Sequence, residues 1–232
     1  MSKYDTIRQL ALEANAQLPE LGLVIFTFGN VSVCDRKLNA FAIKPSGVPY
    51  AELEAEMMVV IDFDGKIMEG DLRPSSDTLT HAELYKTWKD IGAIVHTHST
   101  YATAWAQAQK DIPILGTTHA DYLAGDIPCA LPMNEDMVKG NYEQQTGQQI
   151  INCLAERKLD YREVEMMLVG SHAPFCWGKD SHKALYNAAI LEEIARMASI
   201  TLQINPEAPR LSEALVKKHY SRKHGPDSYY GQ

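Results

Sequence analysis

His96 and His98 follow the apolar run Ile91-Gly92-Ala93-Ile94-Val95. In a strand, residues i and i+2 point to the same face. Two imidazoles at that spacing can meet one cation, each at about 2.0–2.1 Å. His172 also closes an apolar run, Met166-Met167-Leu168-Val169. Three neutral nitrogens with one open position form a catalytic rather than a structural metal set. An isolated His-x-His is more often chance than chelation. Here the pair ends a buried run and a third strand-end histidine is present, which favours the metal. His81, His119, His182, His219 and His224 carry no such placement and read individually as packing or solvated residues.

A second kind of chemistry lies in three segments rich in small polar residues: Gly29-Asn30, Lys44-Pro45-Ser46-Gly47 and Pro74-Ser75-Ser76-Asp77. Glycine lets backbone N–H groups approach a ligand, and hydroxyls add donors. With the start of a helix after Asp77, such loops suit a phosphate. Taken singly each is equally well an ordinary turn, and Asp77 a plain helix cap. Neither GxxxxGK[ST] nor GxGxxG occurs, so ATP and dinucleotides are not indicated.

These residues need a scaffold. The chain has 232 residues, 45% apolar and 22% charged, the composition of a globular protein with a sizeable core. One domain over 1–232 is expected, with no linker, repeat or low-complexity stretch. A net charge of −8 argues against nucleic acid or an anionic membrane as partner. No stretch approaches the ~20 apolar residues that span a bilayer. The start, MSKYDTIRQL, has no apolar signal core, so a cytoplasmic protein is expected. Cysteines 34, 129, 153 and 176 form no CxxC pair and read as small core hydrophobes.

Periodicity predicts helices over 3–18, 78–90, 99–109, 142–157, 182–202 (capped by Asp180 or Ser181) and 211–222. Strands are expected at 23–28, 40–43, 91–95, 164–169 and 175–177. A hairpin joins 57–62 to 66–68 across Asp64-Gly65. Strands arranged in hairpins as well as between helices favour a mixed or antiparallel sheet over a regular βαβ winding. Residues 117–121 are expected to be loop.

Together, FGNVS (28–32), IKPSGV (43–48), PSSDTLTH (74–81), IVHTHST (94–100), GTTHADY (116–122), HAPFCWGK (172–179) and KHYSRKHGPDSYYGQ (218–232) resemble the class II aldolase/L-ribulose-5-phosphate 4-epimerase family. The match runs along essentially the whole chain. The YYGQ tail and the HAD segment point to the epimerase branch. HSTYATAWAQA and INP are most similar to the L-ascorbate-utilisation type, with the arabinose-pathway type next. The resemblance implies an α/β fold of the α+β kind: a central, mainly antiparallel sheet flanked by helices, assembled as a homotetramer with sites at subunit interfaces. It implies one divalent metal per subunit, usually Zn2+, on His96, His98 and His172, with Asp77 at a fourth ligand position. Gly29, Asn30, Ser46, Gly47, Ser75 and Ser76 match substrate- and phosphate-binding positions. Asp121 and Tyr230 match a catalytic acid/base pair. Lys218, His219, Arg222 and Lys223 in the same tail read equally as cations that assist the tyrosine or as a solvated basic helix. Phe28 and Ala173 depart from the pattern, which commonly has Trp and Gly there.

The implied reaction is physically coherent. C4 of ribulose 5-phosphate bears no acidic proton, so inversion there requires breaking and remaking the C3–C4 bond, with one acid/base group per face. An aldolase that releases its products uses the same parts. A binding module that has lost catalysis and a three-histidine hydrolase are more distant alternatives.

Overall fold

The computed structural model describes residues 2–224 and Ser228, so Tyr230 lies outside the described residues. In chain order the elements are α1 (Asp5–Glu20), β1 (Asn30–Asp35), β2 (Ala40–Ile43), β3 (Val59–Asp62), β4 (Ile67–Glu69), α2 (Thr78–Thr87), β5 (Ala93–His96), α3 (Thr100–Gln107) and α4 (Thr117–Ala120). Then follow β6 (Cys129–Ala130), α5 (Glu135–Lys139), α6 (Tyr142–Glu156), β7 (Met166–Val169), β8 (Pro174–Gly178), α7 (Ser181–Ile204) and α8 (Glu213–His224).

The strands form one sheet in the order β4-β3-β2-β1-β5-β8-β7-β6. Every neighbouring pair is antiparallel except β6 with β7. The expected mainly antiparallel sheet with flanking helices is therefore what the chain forms.

Strand residues alternate between two cores, because successive side chains of a strand point to opposite faces. Val31, Val33, Ala42, Val60, Val95, Leu168 and Cys176 meet α1, α3 and α7 on one face. Phe41, Ile43, Val59, Ile61, Ile94, Met167, Phe175 and Trp177 meet α2 and α6 on the other. Three of the cysteines are buried and Cys34 is half-buried, all as free thiols. Among the described residues no helix is long and apolar enough to cross a membrane.

The expected strand at 23–28 does not form; the strand starts at Asn30. Phe26 and Gly29 adopt φ of +54° and +75°, which break an extended run. Phe28 N–H closes a turn onto Ile25 O, and Ile25, Phe26 and Phe28 are exposed. The polar-looking segment after it pairs instead. Asn15, on α1 and fully buried, accepts from Val31 N–H and donates to Val31 O, so it clips the helix to β1. Residues 117–120 form the short helix α4 where loop was expected, and β6 and α5 were not expected. Elsewhere, Asp180 caps α7 as expected, accepting from Lys183 N–H at 2.8 Å. Asp64-Gly65 makes the expected hairpin, with Gly65 at φ +87°.

Candidate functional site

Strand pairing brings the site together. β5 ends at His96, which lies opposite Asn30 on β1 and opposite Phe175 on β8. The β7–β8 hairpin turns through Gly170 and Ser171, where φ is +61°, and delivers His172 beside them. The three rings lie 5.0 Å (His96–His98), 4.9 Å (His96–His172) and 5.3 Å (His98–His172) apart between centroids. One nitrogen of each falls within 4.8 Å of the others.

The donor chemistry fits a cation. His96 Nδ1 lies 3.0 Å from Pro174 O. A carbonyl only accepts, so Nδ1 carries the proton and Nε2 keeps its lone pair. His172 Nδ1 is sealed from water without a partner among the described residues. Burial, helped by the neighbouring His96 ring, pushes His172 down to about 4, and burial lowers His98 also. Neutral imidazole is the ligating form.

Asp77 precedes α2 but makes no capping bond with its side chain. Its carboxylate turns to the histidines instead: Oδ1 is 3.9 Å from His96 Nε2, and Oδ2 accepts from Asn30 Nδ2 at 2.8 Å and Ser75 Oγ at 3.3 Å. Burial pushes its carboxyl up, yet the imidazoles of His96, His81 and His172 and the Asn30 amide outweigh this and hold it below its usual range.

The three polar segments converge. Gly29, Asn30, Ser46, Gly47, Ser75 and Ser76 line one cavity of about 380 Å³ together with Asp77 and the histidines. A bridge between Pro45 and Pro74 and the Ser46 N–H to Arg73 O bond at 2.9 Å hold two of the loops side by side. Gly29 is required by crowding, since a Cβ there would sit 2.8 Å from His96 O.

Lys44, the first residue of the Lys44-Pro45-Ser46-Gly47 segment, also lines this cavity, as do Tyr142 and Glu143, which were not singled out from the sequence. Lys44 is 2% exposed, with Nζ 3.3 Å from Pro45 O and 4.9 Å above the Tyr50 ring. No carboxylate pairs with it among the described residues. Burial lowers its ammonium to about 8, and an anion in the cavity would offset that cost. The signal was present, a lysine ending an apolar run before Pro-Ser-Gly. Tyr142 and Glu143 open α6, more than a hundred residues from Gly29 in the chain, and no local pattern marks them. His81, read as a packing or surface residue, is fully buried behind Asp77, with Nδ1 2.7 Å from Ser32 Oγ.

Asp121 is not in this cavity. It ends α4, where Arg222 donates to both carboxylate oxygens at 2.9 and 2.7 Å and His219 Nδ1 lies at 2.9 Å. Tyr122 and Leu123 pack on the α1/α3/α7 face of the sheet. They line a separate cavity of about 320 Å³ with Met166, the first residue of β7, whereas His172 follows the last. A four-residue strand spans roughly 10 Å, so within one chain Asp121 and the histidines stand at opposite ends and faces of the sheet.

The same architecture occurs in known structures. An L-fuculose 1-phosphate aldolase superposes with a TM-score of 0.78 at 23% identity, covering 96% of this chain and 97% of that one. YgbL of Klebsiella pneumoniae, described as a candidate aldolase/epimerase/decarboxylase, gives 0.73 at 25% identity over 94% of this chain and 99% of its own. An L-fuculose-1-phosphate aldolase from Thermus thermophilus gives 0.67 at 24% identity, over 88% and 98%. Residues 9–199 match the model of the class II aldolase and adducin N-terminal domain. With most of its length inside that match, the chain belongs to the class II aldolase and adducin N-terminal domain family.

Proposed function

We propose that this chain is a metal-dependent, cytoplasmic L-ribulose-5-phosphate 4-epimerase, interconverting L-ribulose 5-phosphate and D-xylulose 5-phosphate. The observation that carries this reading is the meeting, in one cavity, of three imidazoles and a carboxylate with a lysine-and-serine cradle. His96, His98 and His172, with Asp77 beside them, would hold the cation, and a three-nitrogen set suits zinc. A bound cation supplies Lewis acidity toward carbonyl and hydroxyl oxygens and stabilises the charge that C3–C4 cleavage develops.

The chain's own groups do the rest. Lys44, Ser46, Gly47, Ser75 and Ser76 take the phosphate: the ammonium supplies charge, the hydroxyls direction. Asn30 fixes Asp77 through Nδ2, and its Oδ1, without a partner among the described residues, is left to accept from a substrate hydroxyl. A proton must leave the C4 hydroxyl on cleavage and return on the other face after the aldehyde rotates, which requires two groups. Asp121 and Tyr230 are assigned to these faces. Because Asp121 stands away from its own histidines, it serves the site of a neighbouring copy, in a homotetramer with shared sites.

The second reading, an aldolase that releases its fragments, is favoured by the neighbours named as fuculose-1-phosphate aldolases. Metal-loaded protein given L-ribulose 5-phosphate separates the two. D-Xylulose 5-phosphate without free fragments supports the epimerase. Free glycolaldehyde phosphate and dihydroxyacetone support the aldolase. Turnover of neither kind overturns both and leaves a binding role.

A further inference from the structure

We propose that Tyr50 is the positioning residue of the phosphate cradle: its hydroxyl ties Phe28-Gly29 to the loop that carries Lys44 and Ser46, and its ring seats the Lys44 ammonium. This rests on the phosphate-cradle reading above, common to the epimerase and the aldolase. Tyr50 is not among the described residues that line the cavity, so it acts through Lys44 and the Phe28-Gly29 backbone.

The hydroxyl holds one wall. Tyr50 opens a single 3-10 turn, Tyr50–Glu52, just beyond Gly47. Its O–H donates to Phe28 O at 2.8 Å and shares the hydrogen with Gly29 O at 2.9 Å. Burial pushes the phenol well above its ordinary value, so the hydroxyl remains a donor. The segment it grips has little else to fix it. Residues 25–29 form no strand, Phe26 and Gly29 have positive φ, and Ile25, Phe26 and Phe28 are exposed. Backbone with few buried contacts opens readily. Yet this backbone must be still, because Phe28 and Gly29 line the cavity and the next residue, Asn30, holds Asp77.

The ring serves the other wall. Lys44 Nζ lies 4.9 Å from its centroid, within cation–π range, and 3.3 Å from Pro45 O. Lys44 is 2% exposed. The ring face and one carbonyl are therefore what offset the hydration its ammonium has lost. A carboxylate in the same place would compete with a phosphate for that ammonium. An aromatic face attracts the cation without neutralising it, so the charge stays available to an anion. The ring itself packs on the α1 side of the sheet, which fixes its plane. One side chain thus sets both walls before a ligand arrives, and groups ordered in advance bind more tightly because folding has already met their ordering cost.

The test compares Tyr50→Phe, which keeps the ring and removes the hydroxyl, with Tyr50→Leu, which removes both. Calorimetry of inorganic phosphate binding to the metal-loaded full chain needs no turnover. Tyr50→Phe should weaken that binding about 3- to 10-fold, the worth of one hydrogen bond. KM for L-ribulose 5-phosphate should rise by a similar factor while bound metal, by elemental analysis, is unchanged. Tyr50→Leu should lose about 3-fold more. That extra loss should vanish in a Lys44→Met background, where there is no ammonium to seat. Wild-type phosphate affinity and KM in both variants overturn the proposal. Metal and phosphate lost in step, with a lowered Tm, reduce Tyr50 to a prop of the fold and overturn it too. An extra loss that persists with Lys44→Met overturns the role of the ring. Proton NMR of the wild type needs neither tyrosine variant: the Lys44 methylene signals, identified by their loss in Lys44→Met, should lie upfield of other lysines and move when phosphate is added. Signals at the ordinary lysine position overturn the seat. A wild type that does not bind phosphate overturns the cradle reading instead, and the upfield shift still reports on Tyr50.

Discussion

His96 shows how packing commits one nitrogen of an imidazole and leaves the other open. Its ring is buried and stacked on Phe175 at 4.2 Å, and Pro174 O occupies Nδ1, so only Nε2 is left to ligate. His96→Ala combined with His98→Ala should remove bound metal and activity together while circular dichroism stays native. Full metal by elemental analysis in that double variant would refute the assignment. The fold should survive, since the sheet is buried on both faces without help from the cation. Lys44 is the complementary case, a buried lysine with no carboxylate partner among the described residues. Hydrogen bonds to charged groups are worth about 1.5–3 kcal/mol, so Lys44→Met should raise KM for a phosphorylated sugar about 10- to 100-fold. An unchanged KM would take Lys44 out of the phosphate cradle.

At the scale of elements, the site depends on how closely β5 approaches its neighbours. Gly92 leads into β5, donating to Gly178 O and accepting from Cys34 N–H, both at 2.8 Å. A Cβ at Gly92 would lie 2.1 Å from Lys179 O, a backbone atom that cannot swing away. Overpacking of this kind costs about 1–3 kcal/mol. Gly92→Ala should therefore lower Tm by several degrees and weaken metal binding through His96 and His98, both measurable on one preparation. A Tm equal to wild type would mean that β5 and β8 separate more freely than their pairing implies. The misplaced strand at 23–28 teaches the same lesson. Its apolar residues have the right propensity, but Phe26 and Gly29 bend the chain, and the clip from Asn15 selects Asn30–Asp35.

On the scale of the whole molecule, buried histidines make stability sensitive to acid. Burial pushes His81 down to about 3 and His119 to about 4. An unfolded chain protonates histidine near ~6.5, so it binds protons before the folded state does. This stability is complete above that pH and is lost as pH falls toward the folded values, at about 1.4 kcal/mol per pH unit for each such group. Tm should fall steadily from about pH 6.5 down toward the folded-state values, and His119→Gln should flatten the slope. An equal slope in that variant would exclude His119 as a contributor. Assembly gives a second test at this scale. Inactive Tyr230→Phe and inactive His96→Ala chains, mixed and reassembled, should regain partial activity, because some interfaces join an intact tail to intact histidines. Hybrids detected by mass spectrometry that stay inactive would refute the shared site.

What the sequence determined by itself was mostly local. The i, i+2 histidine pair, the Gly, Ser and Pro loops, the Asp180 cap and the Asp64-Gly65 hairpin depend on spacings of a few residues, and the structure has them where the sequence puts them. Family resemblance assigned roles to residues that spacing left open. Tertiary structure alone decided the rest. That loops at 29–30, 44–47 and 75–77 share one cavity follows from strand order in the sheet, which no local pattern encodes. Asp77 could have capped α2 from its position; the pull of Asn30 and the histidines across the sheet turned it inward. Asp121, matched by resemblance to one half of an acid/base pair, meets Arg222 and His219 through the packing of α8 on α4, contacts about a hundred residues apart in the chain. Chemistry written in neighbouring residues is legible because geometry follows from bond lengths and period. Chemistry assembled across the chain is legible only after burial has chosen which surfaces meet.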